Sequence, residues 1–317
     1  MIAHEHGACC APVQVAPARP RAVPPAPAEA PVRFAPADLV ALDGGWFRMG
    51  NDDAYANDGD GEGPVRSVRV DPFRIAAGAV SNRQFTEFVD ATGYVTAAER
   101  YGASFVFVGL LPEDFPPTRG VTAAQWWREV PGACWRSPEG GRSTLDARQD
   151  HPVVHVSWDD AMAYCRWSGL RLATEAEWEY AARGGLEGMR FPWGNMLRPG
   201  GEHRMNVWQG AFPTQNTLAD GYLGTAPVDA FPPNAFGLHN MTGNVWEWTA
   251  DRFSSTWHLN GTWKNPTGPA SGERRALRGG SYLCHSSYCN RYRVSARMAN
   301  TPDSSAGNIG FRCARSA

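Results

Sequence analysis

The sequence predicts a single α+β domain that is compact, rich in loops and low in regular secondary structure. Its 317 residues include 34 glycines and 25 prolines, which interrupt long helices and strands. Thirteen tryptophans supply the material for an aromatic core. The two clearest helix signals are each ended by a glycine after a few turns. We therefore expect short elements joined by long loops, in one domain from residue 34 to residue 317.

The periodic segments predict the elements in chain order. Residues 40–49 favour two strands around an Asp-Gly-Gly turn, residues 67–75 favour one strand, and residues 151–158 favour another. Residues 101–150 lack periodicity and are interpreted as a long insertion that walls a groove. Three helix starts carry a capping box, formed by Ser81 with Gln84, Ser157 with Asp160, and Thr174 with Glu177.

The composition excludes several classes of function. The net charge is −2 and lysines and arginines form no run, so binding to nucleic acid or to a membrane surface is not expected. No segment approaches the roughly 20 consecutive apolar residues of a membrane helix, and the N-terminus lacks the regions of a signal peptide. Residues 1–33 are rich in alanine and proline, which predicts a disordered tail. We expect a monomeric cytoplasmic protein.

The acidic segment 51–63 resembles a calcium-binding EF-hand loop but fails its main requirement. Counted from Asp58, the twelfth position is Arg69, where an EF-hand needs a bidentate glutamate. The segment is therefore interpreted as a solvated turn.

Two further segments, residues 205–222 and 239–251, are dense in asparagine and aspartate. A hard cation such as Ca²⁺ takes roughly six to eight oxygen ligands from carboxylates, amides and backbone carbonyls. The same residue types also form ordinary turns. Spacing alone favours turns in both segments.

Cys284 and Cys289 follow a double glycine and Ser281, at a spacing unlike that of zinc or redox motifs. Two thiolates cannot complete a tetrahedral zinc site, but they are soft ligands that can hold Cu(I). The hydroxyl groups of Ser281 and Tyr288 lie beside the sulfurs in the sequence. A Cys284–Cys289 disulfide or two buried structural thiols is an equal alternative on spacing alone.

Taken together, these segments resemble the formylglycine-generating enzymes, also called sulfatase-modifying factors. The resemblance runs from about residue 37 to the C-terminus, and RGGSYLCHSSYC (278–289) is its most specific block because the non-catalytic paralogue lacks the cysteine pair. The other segments that carry the resemblance are residues 151–169, 171–185, 206–251 and 300–314.

The resemblance implies a fold related to C-type lectins and an oxidase that uses O₂ and a thiol reductant. Its substrate would be an extended or unfolded sulfatase segment, C-x-P-x-R, whose cysteine becomes Cα-formylglycine. Cys284 and Cys289 would bind Cu(I), and Ser281 and Tyr288 would line the oxygen and substrate pocket. Trp246 and Asn308 would lie nearby.

The resemblance also implies two structural Ca²⁺ sites, which reverses the interpretation of both segments as turns. The first set of ligands is Asn206, the Val207 carbonyl, Asp220 and the Tyr222 carbonyl. The second set is Asn240, the Gly243 and Val245 carbonyls, and Glu247.

This chain departs from its relatives at two places. One disulfide of vertebrate relatives is absent, because the matching positions are Ala182 and Val294. The other matches Cys165 and Cys313, which are either bridged or packed as thiols. Ala103 stands where some relatives place an acid that meets the substrate arginine. Loss of a disulfide fits a reducing compartment.

Two other functions were weighed against the oxidase on the basis of the sequence. A non-catalytic peptide-binding paralogue is the alternative function, and the cysteine pair argues against it. An iron-dependent sulfoxide synthase of the same superfamily needs a His-rich helical bundle that residues 1–33 cannot supply.

Residues 10–14, CAPVQ, match C-x-P-x-R except at Gln14, either by chance or as a weak pseudosubstrate in the groove.

Overall fold

Short helices and strands alternate with long connections, which confirms the predicted α+β, loop-rich fold. The computed structural model describes residues 10–13, 39–57, 59–122, 124–141 and 143–317. The helices of this part are α1 (Asn82–Thr92), α2 (Ala97–Tyr101), α3 (Trp158–Ser168) and α4 (Glu175–Arg183). Its strands are β1 (Leu39–Leu42), β2 (Gly45–Met49), β3 (Arg66–Val70), β4 (Phe73–Ala76), β5 (Ala103–Phe107), β6 (Arg119–Val121), β7 (Ala124–Pro131), β8 (Arg171–Leu172), β9 (Gly210–Ala211), β10 (Gln215–Asn216), β11 (Trp246–Arg252), β12 (Arg275–Arg278), β13 (Arg297–Asn300), β14 (Ile309–Phe311) and β15 (Cys313–Ser316).

The strands form small sheets. One sheet has the order β1-β4-β15-β8 and a second has the order β13-β12-β11-β14. The pairing of β11 with β14 is parallel, whereas the other neighbours in these two sheets are antiparallel. β5, β7 and β6 form a three-stranded sheet, and β2 with β3 and β9 with β10 form two-stranded ribbons. The second sheet carries the strands that lead into and out of the cysteine loop.

All three predicted capping boxes are confirmed, at the starts of α1, α3 and α4. Each of these helices ends at a glycine with left-handed backbone angles, as Gly169 shows with φ 67°. A fourth capping box, formed by Thr96 with Glu99, opens α2. It was not predicted, although its Thr-x-x-Glu pattern is the same as that of Thr174 with Glu177.

The two strands predicted around a turn in residues 40–49 are confirmed as β1 and β2, which pair with different partners, β4 and β3, after the chain turns at Gly44 and Gly45. Two other strand predictions were wrong in detail. The predicted strand over residues 67–75 is two strands, because Pro72 lacks the N–H group needed to continue the ladder. Residues 151–158 form an isolated bridge at Pro152 rather than a strand, and His155 has φ 57°.

The predicted insertion over residues 101–150 contains the end of α2 and the three-stranded sheet. Trp127 of β7 is fully buried in the main apolar cluster. The adjacent Trp126 lies edge-on to the ring of Tyr288, with centroids 5.1 Å apart. The insertion therefore contributes one wall of the site that contains Tyr288.

The main core is aromatic. Phe85 and Phe88 of α1 pack against Tyr164 and Trp167 of α3 and, through Phe85 and Tyr164, against Phe311 of β14. Burial of each such ring contributes about 1.5–3 kcal/mol to the stability of the folded state. Because Phe311 lies three residues after Asn308, this packing fixes one side of the candidate site.

A second apolar cluster contains Ala182 and Val294, the positions that match a disulfide of vertebrate relatives. Both side chains are buried, so apolar packing occupies this place in the fold. None of the helices in the described part of the chain has the length and apolar character needed to cross a membrane.

Candidate active site

The cysteine loop leaves β12 through Gly279 and Gly280. Gly280 has φ 76°, and a Cβ atom there would lie 2.7 Å from the carbonyl oxygen of Arg291. A side chain at this position would collide with the returning chain, so the glycine permits the close approach. The loop then forms a turn in which the Cys284 N–H donates to the Ser281 carbonyl at 2.9 Å.

Cys284 and Cys289 are both buried thiols that hydrogen-bond to each other. The Ser281 N–H donates to Cys284 Sγ at 3.4 Å. Burial raises the pKa of both thiols, because the apolar surroundings disfavour a thiolate. The pair is therefore neutral at neutral pH, and an electrophilic partner such as a soft metal ion would displace the protons when it binds.

Ser281 and Asn308 meet beside the thiols. Asn308 Nδ2 donates to Ser281 Oγ at 3.1 Å, and both residues are buried. The parallel pairing of β11 with β14 places Asn308 next to Trp246, whose N–H donates to the Asn308 carbonyl at 2.8 Å. Asn308 Oδ1 and Trp246 Nε1 are buried and lack a hydrogen-bond partner among the described residues, so both can still bind a polar ligand.

Aromatic rings form a wall around Tyr288, which is half-buried. Its ring stacks on Phe212, with centroids 4.3 Å apart and planes at 14°, and the Trp126 ring meets it edge-on. Trp208 and Phe107 extend the wall through Phe212. The stacking restrains the Tyr288 ring and keeps water from one side of the loop.

A short piece of the N-terminal segment, residues 10–13, lies against the thiols. The Cys10 side chain hydrogen-bonds to Cys284 and Cys289, and it is 4% exposed. Asn308 Nδ2 donates to the Cys10 carbonyl at 2.8 Å. Residues 1–9 and 14–33 of the predicted disordered tail lie outside the described part of the chain.

The last part of the acidic segment 51–63 is buried, which corrects its interpretation as a solvated turn. Asp60 and Glu62 are buried and form ion pairs with Arg291 and Arg293, with Arg291 Nε 2.6 Å from Asp60 Oδ2. Charged side chains without partners would stay in water, but here two arginines just after Cys289 neutralise the two acids.

Asp60 and Arg291 are site residues that the sequence analysis missed. They lie 231 positions apart, so no local pattern connects them. The one available signal was the alternation of arginines at 291 and 293 directly after the second cysteine.

The first predicted set of calcium ligands is assembled around Asp220. Its carboxylate accepts from the Val207 N–H at 2.9 Å and from the Tyr222 N–H at 3.2 Å. Burial raises the pKa of Asp220. Asn206 Oδ1 is buried without a hydrogen-bond partner among the described residues. An unsatisfied amide oxygen near a buried carboxylate fits a hard cation.

The second predicted set is held by two loops and β11. Asn240 Nδ2 donates to the carbonyls of Pro227 and Val228, whereas Asn240 Oδ1 has no hydrogen-bond partner in the described residues. Glu247 accepts from Trp178 Nε1 at 2.8 Å and pairs with Arg312 at 2.9 Å. Asn240 thus fits a cation, while the Glu247 carboxylate already has two strong donors. Gly243 lies in the loop that leads to β11, and Val245 is the residue before this strand.

The remaining predicted positions lie in the main core and at the start of β5. Cys165 and Cys313 are thiols with their sulfurs 3.8 Å apart, packed in the main core. Ala103 begins β5, opposite Pro131. In the described ranges, no three histidine, cysteine or acidic side chains have the arrangement of a metal site. Cys284 and Cys289 form a pair of buried thiols with the Cys10 side chain beside them.

Comparison with known proteins gives consistent results along most of the chain. Residues 24–317 match the family described as the Sulfatase-modifying factor enzyme 1-like domain. The chain is similar to a formylglycine-generating enzyme of Thermomonospora curvata, with 59% identity over 280 residues that cover 87% of this chain and 92% of the relative. It is 56% identical to a formylglycine-generating enzyme of Bos taurus over 281 residues, covering 88% and 75% of the two chains. It is 48% identical to an inactive Cα-formylglycine-generating enzyme 2 of Mus musculus, covering 88% and 86%.

Solved structures support the fold. PvdO from Pseudomonas aeruginosa superposes with a TM-score of 0.65 at 26% identity, covering 88% of this chain and 94% of that one. CarF superposes with a TM-score of 0.50 at 22% identity, covering 88% and 98%. The family match spans most of the chain, and the two formylglycine-generating enzymes are more than half identical to it. The chain therefore belongs to the sulfatase-modifying factor family, the family of the formylglycine-generating enzymes.

Proposed function

We propose that this protein is a copper-dependent oxidase that converts the cysteine of a C-x-P-x-R segment in a sulfatase to Cα-formylglycine with O₂. The observation that carries the proposal is the buried, mutually hydrogen-bonded pair Cys284 and Cys289 beside Ser281 and Asn308. The names of the relatives at 56% and 59% identity support the same activity.

The two thiols fit Cu(I). Sulfur ligands select this ion, and a two-coordinate site leaves room for a third thiolate from a substrate. Copper at this position would supply the activation of O₂. The protein would hold both ligands in one rigid loop, since Cys284 is fixed by the Ser281–Cys284 turn and the Cys289 N–H donates to the His285 carbonyl at 3.1 Å.

The overall reaction balances with a thiol reductant. Loss of two electrons from the substrate CH₂–SH group and hydrolysis give the aldehyde and H₂S. Two molecules of a thiol supply two further electrons and become a disulfide. One O₂ takes up these four electrons with four protons, and the net products include one water.

The surrounding side chains would bind and orient the reacting groups. Ser281 Oγ accepts from Asn308 Nδ2, which leaves the serine hydroxyl hydrogen available for an oxygen species or for the substrate. Trp246 Nε1, which is buried without a hydrogen-bond partner among the described residues, would be a further donor. The Tyr288 ring, held by Phe212, would shield the site from water and cover the substrate.

We also propose two structural Ca²⁺ ions in the loops that precede the cysteine loop. The first would take Asn206, Asp220 and the carbonyls of Val207 and Tyr222. The second would take ligands from Asn240, Gly243, Val245 and Glu247. Support comes from the two buried amide oxygens, of Asn206 and Asn240, that have no hydrogen-bond partner among the described residues.

A cytoplasmic location fits the state of the described cysteines. The six described cysteines, buried in the structure, are thiols rather than disulfides. Free thiols are typical of a reducing compartment. We propose this location and the monomeric state together with the activity.

The alternative is a peptide-binding paralogue without catalysis. It predicts affinity for C-x-P-x-R peptides but no conversion. The inactive mouse relative is the more distant match, at 48% identity against 56% and 59% for the formylglycine-generating enzymes. The cysteine pair separates the two hypotheses, because a purely binding site needs no soft metal ligands.

The test is turnover of a synthetic C-x-P-x-R peptide with copper, O₂ and a thiol reductant, followed by mass spectrometry. The aldehyde product and H₂S are expected. Cys284→Ser and Cys289→Ser should each abolish conversion, whereas Cys134→Ser, at a buried cysteine of another loop, is the matched control. Conversion that persists in a copper-free, chelated reaction would contradict the proposal.

A further inference from the structure

The space beside the thiol pair is filled by the protein itself. Cys10 and Ala11 are buried, at 4% and 1% exposure, whereas Val13 is 43% exposed. The segment therefore runs from the thiols toward the surface over three residues. The Cys10 thiol, which hydrogen-bonds to Cys284 and Cys289, lies where a substrate thiol has to meet them.

Three buried side chains hold this segment. Asn308 Nδ2 donates to the Cys10 carbonyl at 2.8 Å, and Asn300 Nδ2 donates to the Pro12 carbonyl at 3.1 Å. Arg291 Nη1 donates to Cys10 Sγ at 3.5 Å. Two of these contacts are to backbone carbonyls of alternate residues, which is how a site binds a peptide whatever its side chains.

The sequence register of the segment matches the bound geometry. Cys10 and Pro12 occupy the first and third positions of C-x-P-x-R, and Cys10 is the residue at the thiols. The fifth position is Gln14, which lies outside the described residues, and it carries no guanidinium charge. A peptide with arginine at that position can form an additional charged contact and would bind more tightly.

We infer that residues 10–13 are an intramolecular pseudosubstrate, which occupies the substrate site and is displaced by a C-x-P-x-R segment of the true substrate. The inference rests on the proposed function, since it takes the thiol pair as the substrate site. The 25 residues from 14 to 38 join the segment to β1. A tether of this kind presents the segment to the site at an effective concentration of about millimolar.

Occupation of the site by residues 10–13 lowers the apparent affinity of the protein for its substrate. If only a fraction of the molecules has an accessible site, the apparent dissociation constant for the substrate increases by the inverse of that fraction. A pseudosubstrate therefore raises the KM for peptide without changing kcat, because saturating peptide displaces it.

The first test compares KM for a C-x-P-x-R peptide among variants of the full chain. For Cys10→Ala, and for a variant that lacks residues 2–13, KM should fall about threefold or more with kcat unchanged, as for a site occupied two-thirds of the time. Cys9→Ala is the matched control, because Cys9 has no proline two positions later. An unchanged KM in both variants would overturn the inference.

The second test does not depend on activity. Alkylation of Cys10 in the native full chain, followed by peptide mapping, should be at least about tenfold slower than in the chain unfolded in guanidinium chloride. Asn300→Ala, which removes the donor to the Pro12 carbonyl, should speed the alkylation of Cys10 in the native chain. Equal rates in the native and unfolded wild-type chain would overturn the inference. Protection of Cys10 in a protein that converts no peptide would reject the proposed function alone.

Discussion

At the scale of single residues, two arginines bring buried charge next to the thiol pair. Arg291 and Arg293 follow Cys289 closely, and they pair with Asp60 and Glu62 from the loop after β2. Glu62 and Arg293 are 2% and 1% exposed, and Arg293 Nη2 lies 2.7 Å from Glu62 Oε1. Because each charge depends on its partner, these pairs fasten the second half of the cysteine loop to another part of the chain.

Glu62→Gln is expected to destabilise the protein by about 3–5 kcal/mol, because it leaves the Arg293 charge buried without a counter-ion. The free energy of unfolding from urea denaturation measures the effect. Asp150→Asn is the control: the Asp150–Arg83 pair is 68% and 58% exposed, so its loss should change stability by at most about 1 kcal/mol. Equal effects of the two substitutions would show that the buried pair does not hold the loop.

The residues of the candidate site differ in how far a sequence can predict them. For Cys284 and Cys289, ligand chemistry left a soft-metal site and a disulfide or structural thiols as equal alternatives, and the family resemblance then favoured the metal site. Ser281 was singled out by its position beside the sulfurs in the sequence and Asn308 by family resemblance alone, and the structure brings the two side chains within 3.1 Å of each other. Asp60 was interpreted as solvated because nothing local indicates a partner 231 residues away.

At the scale of elements, the helices were predictable and the strands were less so, for a physical reason. A capping box uses contacts within four residues, so Ser157 and Asp160 define the start of α3 without help from the rest of the chain. A strand depends on its partner, and β15 pairs with β4 across more than 200 positions. Residues 151–158 have the apolar pattern of a strand, yet Pro152 and a left-handed His155 prevent a continuous ladder.

Helix α4 gives the protein a specific sensitivity to acid. Burial alone would raise the pKa of Glu179, but the charges of Arg183 and Arg278 and the Gly50 N–H lower it to about 2. An ordinary glutamate in the unfolded chain has a pKa of 4.5. The unfolded state therefore binds more protons in this range, and the stabilisation is complete above pH 4.5 and is lost as the pH falls toward 2.

The contribution of Glu179 to the free energy of unfolding that is lost in acid is expected to be about 3 kcal/mol. In Glu179→Gln, the free energy of unfolding should therefore depend less steeply on pH below 4.5 than in the wild type, although the variant is less stable at neutral pH. Urea denaturation at a series of pH values measures the slope. Glu187→Gln, at an exposed position after α4, is the matched control for the loss of one negative charge. An unchanged slope in Glu179→Gln would contradict the conclusion that the lowered pKa of Glu179 causes the sensitivity to acid.

At the scale of the whole molecule, the candidate site joins segments that are far apart in the sequence, and Asn244 connects several of them. Its N–H donates to the Asn206 carbonyl at 2.8 Å, and its own carbonyl accepts from the Tyr282 N–H at 2.9 Å. Its Oδ1 accepts from Asn206 Nδ2 at 3.2 Å. The loops proposed to bind Ca²⁺ are therefore in direct contact with the cysteine loop, so a change in their order should affect the thiol pair.

Calcium should stabilise the whole protein if these loops bind it. A ligand present at about 100 times its dissociation constant adds about 2.7 kcal/mol per site to the free energy of unfolding. For a chain of this size we expect removal of Ca²⁺ with a chelator to lower Tm by about 5 °C or more. The measurement is thermal unfolding of the copper-free protein before and after chelation, with Mg²⁺ added back as a control for charge alone.

Two variants locate the bound Ca²⁺. Asp220→Ala removes the carboxylate of the first site and should abolish part of the shift in Tm. Asp52→Asn tests the acidic segment, whose twelfth position lacks the glutamate of an EF-hand, and should leave the shift intact. A Tm that does not respond to Ca²⁺ in the wild type would reject both sites. A shift that is lost in Asp52→Asn and kept in Asp220→Ala would place the ion in the acidic segment instead.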